Sequence, residues 1–108
     1  MESYVICFIS VDTSENAVNI ASILVQEKIV ACVNILNEYR SIYWWKGKIC
    51  DEKETLLIAK TRSSLFKKLQ ERVKQIHPYE VPEIIGVKIS DGLPEYLEWI
   101  NDSTEMSS

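Results

Sequence analysis

Hydrophobic and polar positions follow two rhythms along this chain. Tyr4 to Val11, YVICFISV, is an almost unbroken apolar run, the pattern of a strand covered on both faces. Asp12-Thr13-Ser14-Glu15 follows, an acidic cap with a glutamate three residues on. Ala17, Ile20, Ile23 and Leu24 then recur at helical spacing, so a helix is predicted up to Glu27-Lys28. Ile29 to Leu36 is rich in β-branched residues and reads as a second strand. Asn37 to Ser41 interrupts it as a bend, bulge or loop, Ile42-Tyr43-Trp44-Trp45 resumes extended character, and Lys46-Gly47 signals a hairpin. The third strand starts near Lys48 and crosses the charged stretch Asp51 to Glu54, read as a bulge or an exposed section. It is strongest at Thr55 to Ala59. Phe66, Leu69, Val73 and Ile76 predict an amphipathic helix, capped from within Thr61 to Ser64 and stopped by Pro78. Ile84 to Ile89 predicts a fourth strand and Asp91-Gly92 a turn. Pro94, with Leu93, Leu97 and Ile100, predicts a last helix. The polar end from Asn101 to Ser108 is expected to fray.

The order β-α-β-β-α-β, then a final α, places the chain in the α+β class. Two split βαβ units with right-handed crossovers close as a ferredoxin-like sandwich, one antiparallel sheet with two helices on one face and an appended C-terminal helix. With 108 residues there is room for one domain, 1–108, and not for a second core.

The Lys46-Gly47 hairpin carries more apolar area than one small sheet should hide. Trp44 and Trp45 are adjacent on a strand, so they point to opposite faces. With Tyr39 and Tyr43 on the same hairpin, and Tyr96 and Trp99 on the last helix, the rings form a candidate subunit interface, with Tyr43, Trp44, Trp45 and Trp99 as its anchors. The competing readings are that the long strands fold over their own core, or that the last helix covers the open face within one chain.

Charge and cysteine usage narrow the function. The net charge is −4, and no Lys/Arg block of length occurs, so neither nucleic acid nor an anionic membrane surface is expected as a partner. No run reaches the roughly 18 apolar residues of a membrane span, and Met1-Glu2-Ser3 is not the start of a secretory signal. The expected compartment is therefore the cytoplasm. The three cysteines, Cys7, Cys32 and Cys50, are widely spaced and form no CxxC, so reduced thiols are expected, with Cys32 packed in the core. No phosphate-binding glycine loop, HExxH or plausible Ser-His-Asp set is present.

Five motifs stand in order over nearly the whole chain: Ala31-Cys32-Val33-Asn34-Ile35, Tyr43-Trp44-Trp45-Lys46-Gly47-Lys48-Ile49, Lys60-Thr61, His77-Pro78-Tyr79-Glu80-Val81-Pro82-Glu83-Ile84-Ile85, and Tyr96-Leu97-Glu98-Trp99. In these the chain resembles the CutA divalent-cation tolerance proteins. The resemblance implies a ferredoxin-like protomer that assembles as a homotrimer, in which long hairpins extend the sheets of neighbours, with the architecture of PII-type signalling proteins. It also implies a link to tolerance of copper and other divalent metals, with Cu(II) as the possible bound ion. In animal relatives it implies a link to the anchoring of acetylcholinesterase.

Two sets of residues are candidates for chemistry. His77 is the only histidine and ends the second helix; it either caps the helix carbonyls or packs at an interface, or it is a metal ligand. The resemblance suggests pairing it with a first-strand thiol, here Cys7, although Ile76 stands where a second imidazole would help. The second set is Lys60, Tyr79 and Glu80, expected to meet in one cleft with Trp45 of a neighbour. There they would bind a small anionic or zwitterionic ligand, or form a structural ion pair.

The leading reading is a trimeric binding or signalling protein of metal homeostasis, more a binder than an enzyme, with its ligand or metal site between subunits. Two alternatives stand beside it: an enzyme acting on a small anionic metabolite through Lys60 or His77, and an adaptor trimer that binds another protein.

Overall fold

The computed structural model describes residues 2–105. The chain runs β1 (Tyr4–Val11), α1 (Ser14–Gln26), β2 (Cys32–Trp45), β3 (Lys48–Arg62), a short 3-10 turn (Ser63–Leu65), α2 (Phe66–Ile76), β4 (Ile84–Lys88) and α3 (Pro94–Ser103). The strands form a single four-stranded sheet in the order β2-β3-β1-β4, antiparallel at every pairing. This is the ferredoxin-like α+β sandwich that the motif order predicts. No helix among the described residues is long and apolar enough to cross a membrane.

The pleat sorts the first strand. Val5, Cys7, Ile9 and Val11 point to the helix side, where they are buried with Ala17, Ile20 and Leu24 of α1 and Leu69 and Val73 of α2. Each fully buried Leu or Ile side chain here contributes about 1.5–3 kcal/mol relative to exposure. Gly86 of β4 sits on the same side, and a Cβ there would lie 2.7 Å from the Phe66 ring. Gly86→Ala is therefore expected to overpack the α2–sheet contact and to destabilise by about 1–3 kcal/mol. Urea unfolding measures this, and an unchanged midpoint would show that the ring moves freely.

The opposite face is only partly covered. Helix α3 lies over one end of it, where Arg62 donates to Thr104 Oγ1 and to the Thr104 carbonyl, both at 2.8 Å. Farther along, Ile85 and Val87 are half exposed. Beyond the helices β2 and β3 continue as a ribbon that no helix covers, and the longest axis of the chain is 45 Å.

Several expectations are corrected. The cap of α1 is Thr13, whose Oγ1 accepts from the Asn16 amide, while Asp12 braces it from outside through the Thr13 amide and the Asn16 side chain. The second helix has no side-chain cap; the 3-10 turn leads into it. The end does not fray at Asn101, because α3 runs to Ser103 and Thr104 is buried, returning its hydroxyl to the Ile100 carbonyl; residues 106–108 of that tail lie outside the described residues. Where alternatives were open, the irregularity of the hairpin is a bulge in β2 between Leu36 and Tyr39, with Glu38 at φ 48°, and the charged stretch of β3 is regular strand, exposed from Asp51 to Lys53 and buried at Glu54. Cys32 is only partly buried rather than sealed in the core, its Sγ 3.9 Å from the Tyr96 hydroxyl.

Candidate functional site

The bulge determines what the hairpin presents. One extra residue in β2 shifts its alternation against β3, so Tyr39, Ser41, Tyr43 and Trp45 fall opposite Glu54, Glu52, Cys50 and Lys48 on one face. Trp44, Ile42 and Ile49 fall on the other. Facing the first group is the segment that leaves α2. His77 ends that helix with extended backbone, and Pro78 and Pro82 stiffen the chain as it turns into β4. Between this segment and the hairpin lies a cavity of about 690 Å³, lined on one side by Tyr43, Trp45, Glu52 and Glu54 and on the other by Tyr79, Glu80 and Glu83.

Ser10, at the end of β1, is the hub of the cavity floor. Its hydroxyl donates to Glu83 Oε1 at 3.1 Å and accepts from the Tyr39 hydroxyl. Its carbonyl accepts from His77 Nε2 at 2.7 Å, while His77 Nδ1 accepts from the Tyr79 amide at 3.0 Å. An amide N–H can only donate, so Nδ1 is unprotonated and the proton sits on Nε2. The His77 ring is thus neutral and has both nitrogens occupied. Burial, the largest influence, holds its pKa below the ordinary imidazole value, against the opposing pull of the Ser10 carbonyl, Asp12 and Glu54. The Tyr79 hydroxyl donates to Glu54 Oε2 at 2.7 Å, and burial followed by the Glu54 carboxylate pushes its pKa well up. Burial also raises Tyr43, and Glu52 adds to it.

Of the residues singled out in the sequence, Trp45, Tyr79 and Glu80 meet in this cavity and His77 supports its floor. Lys60 does not join them. Strands β3 and β4 both run antiparallel to β1 and hence parallel to each other, so the end of β3 lies beside the end of β4, not its beginning. Lys60 stands level with Ile6 and Val87 and donates to Asn34 Oδ1 at 2.6 Å. It is six residues, roughly 20 Å of strand, from Glu54. No acid–base set forms around it.

The Cys7–His77 metal pair also fails on geometry. Cys7 is sealed in the core, burial pushes its thiol up to about 12, and a thiolate is the form that binds metal. Both His77 nitrogens are spent, and no group of three or more His, Cys, Asp and Glu residues among the described residues is placed to hold a metal ion. The interface candidates Tyr43, Trp44, Trp45 and Trp99 are 36%, 72%, 39% and 43% exposed in the single chain. Sequence reasoning missed Ser10, Tyr39, Glu52, Glu54 and Glu83. Glu54 is the most telling, being 6% exposed within a stretch that reads as solvent-facing.

A ferredoxin-like fold with an overhanging aromatic hairpin and a cavity lined by rings and glutamates beneath it places the chain among small α+β sandwich proteins. The comparisons make the class specific. The model of the CutA1 divalent ion tolerance protein family matches residues 5–103, and the chain belongs to that family. It is 46% identical over 99 residues to the divalent-cation tolerance protein CutA of Thermus thermophilus, covering 92% of this chain and 96% of that one. The crystal structure of CutA1 from Oryza sativa superposes with a TM-score of 0.93 at 42% identity, covering 97% of this chain and 96% of that one. That of the periplasmic divalent cation tolerance protein CutA from Archaeoglobus fulgidus gives 0.89 at 38% identity, covering 97% and 100%.

These relatives correct the expected compartment. One of them is named periplasmic, and an Oryza sativa relative, of which this chain spans 58%, is named chloroplastic. The fold is therefore not tied to the cytoplasm, and a chain without a membrane-spanning helix does not specify its address.

Proposed function

We propose that the chain acts as a homotrimeric binding and signalling protein, built like the PII-type trimers, and serves divalent-cation tolerance through a ligand seat completed between subunits. The observation that carries this reading is the cavity of about 690 Å³ at the base of a hairpin that overhangs its own protomer. One wall of the seat belongs to a ribbon whose outer face, Ile42, Trp44 and Ile49, is at least 65% exposed. Apolar area of this kind on a projecting hairpin suits burial against a second copy.

Copper, the ion we favour, enters this reading only with donors from more than one protomer, because Cys7 and His77 are unavailable within one. The groups left to reach across a seam are Cys50 and the glutamates of the cavity. The reduced protein is expected to sediment as a trimer at micromolar concentration. Calorimetric titration should give saturable Cu(II) binding that Cys7→Ser leaves unchanged. A wild-type monomer, or copper binding lost in the folded Cys7→Ser variant, sinks the proposal.

A further inference from the structure

The chemistry of the cavity wall indicates what the seat receives. Four glutamates, Glu52, Glu54, Glu80 and Glu83, line it together with the rings of Tyr43, Tyr79 and Trp45, and no lysine or arginine does. Carboxylates interleaved with electron-rich ring faces attract organic ammonium groups, through ion pairing and cation–π contact together.

Two further observations point to a cation. Glu54 is 94% buried by its 6% exposure; Oε2 is held by Tyr79, while Oε1 accepts no hydrogen bond within the chain, and no fully sealed side-chain oxygen is left unpartnered among the described residues. That oxygen therefore keeps some solvent contact, on a residue that lines the cavity. At the mouth the chain supplies an ammonium of its own: Lys46 Nζ lies 5.7 Å from the Trp45 ring centroid and 3.7 Å from Glu80 Oε2. A tethered alkylammonium thus already occupies the outer edge of the aromatic and acidic wall.

Within a single chain a compact metal ion fits this arrangement poorly, because no three carboxylates among the described residues converge on one point. The negative groups are instead spread over two walls, with Glu52 and Glu54 about 7 Å apart along β3. Charges separated along an alkyl chain match that spread.

We propose that the cavity binds a linear di- or polyamine, its ammonium groups shared between the glutamates and its methylenes laid against Tyr43 and Trp45. This rests on the reading of the cavity as the ligand seat and names the class of ligand. Lys46 then acts as a competitor, displaced from Trp45 and Glu80 when the amine enters.

Calorimetric titration of the full chain with 1,4-diaminobutane and with spermidine tests this. Saturable binding of one amine per chain is expected, weakening as salt is raised. Glu52→Gln, an exposed and conservative change, should weaken it about tenfold, the effect of losing one charge-assisted contact. Lys46→Ala should tighten it several-fold, a response that a merely structural role for Lys46 would not give. Absence of binding by a folded wild-type protein overturns the proposal. So does binding that neither substitution alters, which would mark diffuse attraction to an acidic surface. Inorganic phosphate, titrated in parallel, separates the two readings. Phosphate binding without amine binding removes the amine and keeps the cavity as a seat, whereas a monomer that binds amine removes the intersubunit seat and keeps the amine.

Discussion

Replacing His77 with alanine is expected to destabilise the protein by about 2–4 kcal/mol, although nothing assigns this residue a direct part in ligand binding. The ring is 8% exposed and joins three elements. Nε2 donates to the Ser10 carbonyl near the end of β1, and Nδ1 accepts from the amide of Tyr79, which fixes the segment leading to β4. The ring also packs on Tyr79 at 4.8 Å between centroids. Alanine leaves a carbonyl and an amide without partners and opens a void beside them. Each loss alone costs about 1 kcal/mol or more, and the partly buried orphans raise the total. His77→Gln keeps a donor and an acceptor on one side chain and should restore part of the loss.

The same residue sets a pH dependence. Burial lowers its folded-state pKa below the ordinary 6.5. Between those two values the unfolded chain binds more protons than the folded one, so stability must fall as pH falls. The His77 contribution is whole above about pH 7 and is lost as the pH drops through 6.5 toward the folded value. Urea unfolding at pH 8 and pH 5.5, at one protein concentration, should show the loss in the wild type and a smaller one in His77→Gln. Equal slopes in the two proteins would refute this account.

These consequences lie beyond the sequence pattern, and the reason is specific. Helix and strand periods are local, so YVICFISV, the Phe66–Ile76 stripe and the Lys46-Gly47 turn are legible directly, and the two crossovers then dictate the sheet. The partners of a side chain depend instead on strand direction and register. The sequence suggests that Lys60 and Tyr79 meet, since one lies near the end of a strand beside β1 and the other just before one, yet the parallel run of β3 and β4 puts them at opposite ends. Glu54 looks exposed because its neighbours Asp51, Glu52 and Lys53 are; only the chain turning back through Tyr79 buries it. The bulge at Glu38 carries no glycine to announce its positive φ, and it alone decides which tryptophan faces the cavity. In both tryptophan cases the local pattern is correct and the assignment of faces requires the fold.

Trp44→Ala is the second large effect, and it falls on assembly rather than on the protomer. In the single chain this ring is 72% exposed, with Ile42 at 66% and Ile49, its cross-strand partner, at 65%. Truncation therefore removes little packing within the chain. A tryptophan can bury about 150–250 Å² against a partner, and one seated at the centre of an interface typically loses 2 kcal/mol or more, up to about 4, on truncation. A closed trimer repeats the contact three times, so the losses compound. Sedimentation velocity at micromolar concentration should show the wild type as a trimer and Trp44→Ala shifted toward smaller species, with the far-UV circular dichroism of the fold retained. Trp45→Ala provides the contrast. Its ring is 39% exposed and lines the cavity, so its truncation should act first on amine binding and less on assembly. If Trp44→Ala sediments as wild type while Trp45→Ala dissociates, the face assigned to the neighbour is the wrong one, and the hairpin closes over the cavity instead of away from it.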